Sequence, residues 1–256
     1  MPQEFVMNSI TNGPGFFGKL PSNGDFVTRR LPRIPFLNTW DEWLQQAMAK
    51  SREQLKDSWL NIYLTSPIWR FTLSSGLCGD NAWAGLLMPS VDKVGRYFPL
   101  TIAIELNNTV HPLQLMEDAT DWFQDAEDVA LSALEDDLKL EQFDRRVESL
   151  GVPHISNPAI QTLSIVNRTT PLLLDIPSAN EISSTFPALV KLLLDSTYKN
   201  YSLWWTHGSD HVKPRLIVNP GLPSRDSFTA YLDGNWNQWG STQGPDNNDL
   251  LSLDPT

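Results

Sequence analysis

The apolar period of this chain changes at Pro67. Before it, Phe36, Trp40, Trp43, Leu44, Ala47, Met48, Leu55, Trp59 and Ile62 recur at helical spacing. That spacing predicts one long amphipathic helix, with Pro35 at a first turn that tolerates it. After it, Trp69 to Leu73, Ala82 to Leu87 and Leu100 to Leu106 read as strands, the first two separated by a hairpin-like loop over Gly76 to Asn81. A helix that must bury an aromatic stripe next to consecutive, tightly connected strands has few solutions, and a sheet with helices packed on it is the simplest.

The flanking segments extend that pattern. Gly15 to Lys19 and Asp25 to Arg30 read as short strands joined by a turn at Pro21-Ser22-Asn23-Gly24. A second, acidic helix is predicted over about 114–138, with Leu115, Ala119, Trp122, Phe123, Ala126, Val129, Ala130 and Ala133 inward. Residues 139–160 read as irregular, broken by Gly151, Pro153 and Pro158, and Leu163 to Val166 as a strand. Phe186 to Tyr198 reads as a third helix opened by Pro187, though its leucine run also fits a buried strand. Tyr201 to Thr206 is a strand with Lys213 to Val218 as its neighbour, and Ser224 to Leu232 a final short helix. The expectation is α+β: a mostly antiparallel sheet flanked by helices, in one domain over residues 1–233. The polar run from Gly234 onward, with Pro245 and Pro255 in it, reads as a mobile tail over 234–256.

Charge narrows the function classes. The formal net charge is −11, but residues 15–105 hold ten bases and eight acids, while 115–148 hold three bases and twelve acids. An acidic chain repels phosphate backbones, so nucleic acid is not expected as a partner. The acidic block reads as a solvated helix face, or as a surface that steers a basic partner. No run of eighteen apolar residues is present, so membrane insertion is not expected. The single cysteine, Cys78, and a start with no secretory signature lead us to expect a cytoplasmic protein.

The chemistry-bearing strings fall short of catalytic or metal templates. Gly18-Lys19 is followed by Leu20, where a phosphate-binding loop needs Ser or Thr. Ser90-Val91-Asp92-Lys93 has the S-x-x-K spacing of serine acyl enzymes but lacks the companion motifs, and Pro89 and Gly95 suggest a sharp loop. His207 and His211 are four apart, yet Gly208 between them favours a loop over a zinc-binding helix face. No catalytic residue, metal or cofactor is expected. What is left is two dense, glycine-containing clusters: Lys19, Asp25, Arg29 and Arg30 in the first, and Asp92, Lys93, Arg96 and Tyr97 in the second. Their opposite charges suit ion pairs that fix two loops together, and equally a partner-binding surface. We take Lys19, Asp25, Arg29, Asp92, Arg96 and Tyr97 as the candidates for partner binding.

Several longer strings stand out: Gly15-Phe16-Phe17-Gly18-Lys19-Leu20-Pro21-Ser22, Gly24-Asp25-Phe26-Val27, Trp40-Asp41 with Trp43-Leu44, Leu64 to Phe71, Met88 to Leu100, Ser202 to Thr206 and Gly221-Leu222-Pro223. Together they resemble the TagF family of type VI secretion accessory proteins. The resemblance implies a longin- or profilin-like layout and a non-enzymatic cytoplasmic repressor. Such a protein restrains the secretion apparatus after translation by binding its forkhead-associated scaffold protein. The alternative from the residues alone is a hydrolase or small-ligand enzyme using the Asp25 and Ser90–Tyr97 loops. Ser90 within reach of Lys93, in a pocket with oxyanion donors, would favour it.

Overall fold

A computed structural model of the chain describes residues 13–135, 137–155 and 185–239. Seven strands form one antiparallel sheet in the order β2-β1-β5-β4-β3-β6-β7. They are β1 (Gly15–Gly18), β2 (Val27–Arg29), β3 (Trp69–Leu73), β4 (Ala82–Met88), β5 (Leu100–Leu106), β6 (Ser202–Thr206) and β7 (Arg215–Asn219). The helices are α1 (Asn38–Leu55), α2 (Trp59–Leu64), α3 (Pro112–Asp118), α4 (Thr120–Ser132), α5 (Leu140–Ser149), α6 (Phe186–Thr197) and α7 (Phe228–Asp233). The α+β expectation therefore holds.

The central strands are buried on both faces, and alternation along each of them divides the core. In β4, Trp83 and Leu87 join a core with the apolar residues of α1, α2 and α7. Ala84, Leu86 and Met88 of the same strand join a second core with α3, α4 and α5. Trp40 anchors the first core: it is fully buried, 4.6 Å from the Phe71 ring, and its indole N–H donates to Thr101 Oγ1 at 2.9 Å. Satisfying that N–H removes the penalty a buried indole otherwise carries. A buried ion pair crosses the second core, where Arg70 of β3 meets both carboxylate oxygens of Glu127 of α4, at 2.7 and 2.9 Å.

The helical stripe before Pro67 is not one helix. Lys56 adopts φ 47° and stops α1, a short tight turn follows over Lys56–Ser58, and α2 begins at Trp59. Turning the chain there lets Trp59 and Tyr63 reach the core that Trp40 and Leu44 already occupy. The Trp59 indole N–H donates to Ser51 Oγ at 2.9 Å and holds the two helices together. Pro35 does stand where helical backbone begins, since Ile34 before it is extended (φ −120°, ψ 130°). The acidic helix is likewise divided at Ala119, into α3 and α4. The stretch read as irregular contains α5, whose Phe143 and Val147 are buried against the sheet.

The final helix is shorter than its apolar pattern suggested, and the leucine run of 186–198 is helical. Trp236, in the segment read as tail, is buried with its ring 5.1 Å from that of Tyr231. The strand expected at Leu163 to Val166 lies outside the described residues, as do residues 240–256.

Candidate functional site

The two dense clusters are far apart in sequence and adjacent in space because β1 pairs with β5. Phe17 sits opposite Thr101, so the loop leaving β1 and the loop entering β5 emerge at the same end of the sheet. Gly18 makes the approach possible. Its φ is 136°, and a Cβ there would lie 2.1 Å from the Pro99 carbonyl oxygen.

Asp92 ties the loops together. Its Oδ2 accepts from Lys19 Nζ and from Arg96 Nε, each at 2.7 Å, and its Oδ1 accepts from the backbone N–H groups of Val94 (3.1 Å) and Arg96 (2.9 Å). The Asp92 side chain is 0% exposed. Burial alone would raise its pKa, but the hydrogen bonds from Lys19, Arg96 and the backbone outweigh it and hold the carboxyl well below the usual range. Backbone bonds complete the turn: Gly95 N–H donates to the Asp92 carbonyl, and Lys93 N–H crosses to the Asn23 carbonyl of the first loop. Gly95 has φ 85°, as this turn requires.

Asp25 is near Arg96 too, at 3.5 Å, but it is 91% exposed. Arg96 also donates to the Gly24 carbonyl. Lys19, Asp25, Asp92 and Arg96 thus come together, with the organising role falling to Asp92, whose carboxylate is enclosed by donors, and not to Asp25. Tyr97 lies alongside, its ring 5.9 Å from Trp59 and 6.1 Å from Tyr63. Arg29 is not part of the cluster. Its guanidinium is 3.9 Å from Asp144 of α5, which Arg30 also contacts at 2.6 Å.

Ser90 is enclosed. It is 2% exposed, and its hydroxyl donates to the Lys19 carbonyl at 2.7 Å. The Tyr63 phenol donates to the Ser90 carbonyl and accepts from its amide. Lys93, the other half of the S-x-x-K spacing, is exposed. His207 and His211 are both exposed, in the β6–β7 loop. No group of three or more potential metal ligands occurs among the described residues. The buried Cys78 thiol is pushed up to about 12 by burial and stays protonated at neutral pH.

Three residues of this region escaped the sequence reading. Tyr63 carries no signal beyond an aromatic at helical spacing. Arg52 is one of several charges on α1, yet its guanidinium lies 4.3 Å from the centre of the Trp59 ring, beside Tyr97. Phe26 is half-exposed, stacks on Phe17, meets Phe98 edge to face, and carries the Lys19 ammonium 4.1 Å from its ring centre.

Comparison with known proteins fits this arrangement. Residues 15–150, which contain β1 to α5 and both loops tied by Asp92, match the TagF N-terminal domain, described as type VI secretion system-associated. The chain belongs to the TagF family. It is also similar to the crystal structure of PA0076 from Pseudomonas aeruginosa PAO1, at 36% sequence identity and a TM-score of 0.75. That similarity covers 91% of this chain and 97% of that one. No curated protein matches the chain. No helix among the described residues is long and apolar enough to cross a membrane.

Proposed function

We propose that this TagF-family protein is a non-enzymatic, cytoplasmic, post-translational repressor of type VI secretion that acts by binding the forkhead-associated scaffold protein. A role in type VI secretion follows from the family. The observation that supports a binding role is the saturation of Asp92. Its oxygens accept from four donors, two of them side-chain cations, and Ser90 beside it is committed to the Lys19 carbonyl. A catalytic acid or nucleophile needs a lone pair or proton free to meet substrate. A docking surface needs its loops held in one conformation before the partner arrives. Asp92 serves the second need, holding Phe26, Val94 and Arg96 at the surface.

The test is secretion in the native host under overproduction of the protein. Secretion should fall while transcript levels of the secretion genes stay unchanged, and Ser90→Ala should repress as well as the parent. Undiminished secretion, or repression lost with the Ser90 hydroxyl alone, would return the enzyme alternative.

A further inference from the structure

Between the C-terminal end of α1 and the two bracketed loops lies an open cleft of about 390 Å³, lined by Lys19, Phe26, Arg52, Arg96, Tyr97 and Phe98. Its volume falls within the roughly 300–1,000 Å³ of ligand-binding pockets. Three of the lining side chains are cationic and none is acidic, on a chain whose net charge is −11. Lys19 is buried and neutralised by Asp92. Arg52 is exposed and, among the described residues, makes no ion pair. Its planar group rests over Trp59, and its Nη2 reaches the Tyr97 carbonyl at 3.5 Å. Arg96 is 55% exposed; its Nε is held by Asp92 at 2.7 Å and its Nη2 by the Gly24 carbonyl. Its pair with Asp25 is long and bathed in solvent, so an incoming carboxylate can replace Asp25 on the outer edge of the guanidinium at little cost. Phe26 and Phe98, edge to face with each other, line the same cleft as the two arginines.

We propose that this cleft takes a carboxylate-bearing, extended segment of the protein partner. One acid enters between Arg52 and Arg96, and an adjoining apolar side chain packs on Phe26 and Phe98. Guanidinium groups match a carboxylate by paired N–H donors, which favours arginine over lysine at such a contact. Aromatic surface beside the charges supplies the apolar contact that anchors an interface. The proposal deepens the scaffold-binding reading and rests on it for the identity of the partner alone.

The test uses the full chain and a short fluorescein-labelled peptide alternating glutamate with phenylalanine, read by anisotropy at low ionic strength. Its glutamine counterpart keeps the shape and removes the charge. The glutamate peptide should bind, and the glutamine version should bind at least about tenfold more weakly, as expected for loss of a charge pair at an interface. Arg52→Glu should abolish binding with the circular dichroism spectrum unchanged, Arg52→Lys should keep part of it, and Lys50→Glu on the same helix should leave it intact. Equal binding of both peptides, or equal loss with Lys50→Glu, overturns the proposal by showing apolar adsorption or bulk charge. Failure of the glutamate peptide to bind overturns it as well, and a dimer in sedimentation that Arg52→Glu dissolves would then identify a second copy as the occupant. Scaffold capture separates the two readings. Capture by the parent and equally by Arg52→Glu sinks the cleft and leaves the scaffold reading standing. Peptide binding without scaffold capture keeps the cleft and sinks the scaffold.

Discussion

Tyr63 and Ser90 exchange two hydrogen bonds, the phenol donating to the Ser90 carbonyl and accepting from the Ser90 amide, each at 2.8 Å. This contact pins α2 to the loop that carries Asp92. Tyr63→Phe leaves the Ser90 amide buried without an acceptor, while the Ser90 carbonyl keeps the Phe98 N–H, and the orphaned amide costs about 1–3 kcal/mol. The expected result is a lower urea midpoint with an unchanged slope. Ser90→Ala should cost less, because it deprives the Lys19 carbonyl of a donor, and an under-satisfied carbonyl is tolerated better than an orphaned amide.

Asp92 and Asp25 should separate cleanly. Asp92→Asn removes the charge that compensates buried Lys19 and should lower the melting temperature substantially. Asp25→Asn breaks an exposed contact and should leave it within error. Equal melting temperatures for the two variants would show that the buried bracket contributes nothing.

Acid should unfold the protein through two groups. The Asp92 pKa is depressed in the folded state, so its contribution is full above the unfolded value of about 3.9 and is lost as pH falls below that. The Asp92→Asn variant should lack this limb. His111 acts at higher pH. Burial lowers its pKa most strongly, against a raising effect of Asp195, and its Nδ1 accepts from the Leu113 N–H at the start of α3. The unfolded chain therefore binds a proton first, and stability falls as pH drops through about 6.5. Asparagine can keep the helix cap without titrating, so His111→Asn should flatten melting temperature against pH in that interval.

The buried pair across the second core gives a sharper energetic test. Arg70→Met alone leaves Glu127 buried without its cation and should cost about 3–5 kcal/mol. Adding Glu127→Leu should recover most of that loss. A double variant as unstable as the single one would mean that the packing of the arginine stem, and not charge compensation, explains the effect.

How much of this was legible follows from what each feature depends on. The strands on either side of Gly76–Asn81 and the helical stripe of Trp40 and Leu44 rest on local periodicity, which a sequence displays directly. The break at Lys56 does not, because lysine gives no warning of a positive φ. The helix at Leu140–Ser149 was present as Leu140, Phe143 and Val147 at helical spacing, but the glycine and prolines after it obscured the signal. The charge cluster was legible as residue types only. Which carboxylate is buried depends on the non-consecutive pairing of β1 with β5, while the β1–β2 register sets Arg29 opposite Phe16, away from Lys19 and beside Asp144. Arg52 was invisible because its role comes from tertiary position at the end of α1.

The central claim is that two loops braced by Asp92 form the surface that engages the scaffold. The most direct measurement is a calorimetric titration of the purified full chain with the purified forkhead-associated scaffold of its host, in parallel for the parent, Asp25→Asn and Asp92→Asn. Binding should be saturable without any added substrate, little changed by Asp25→Asn and weakened by Asp92→Asn at a temperature where that variant is still folded. No heat of binding from the parent, or full affinity in the folded Asp92→Asn variant, would contradict it.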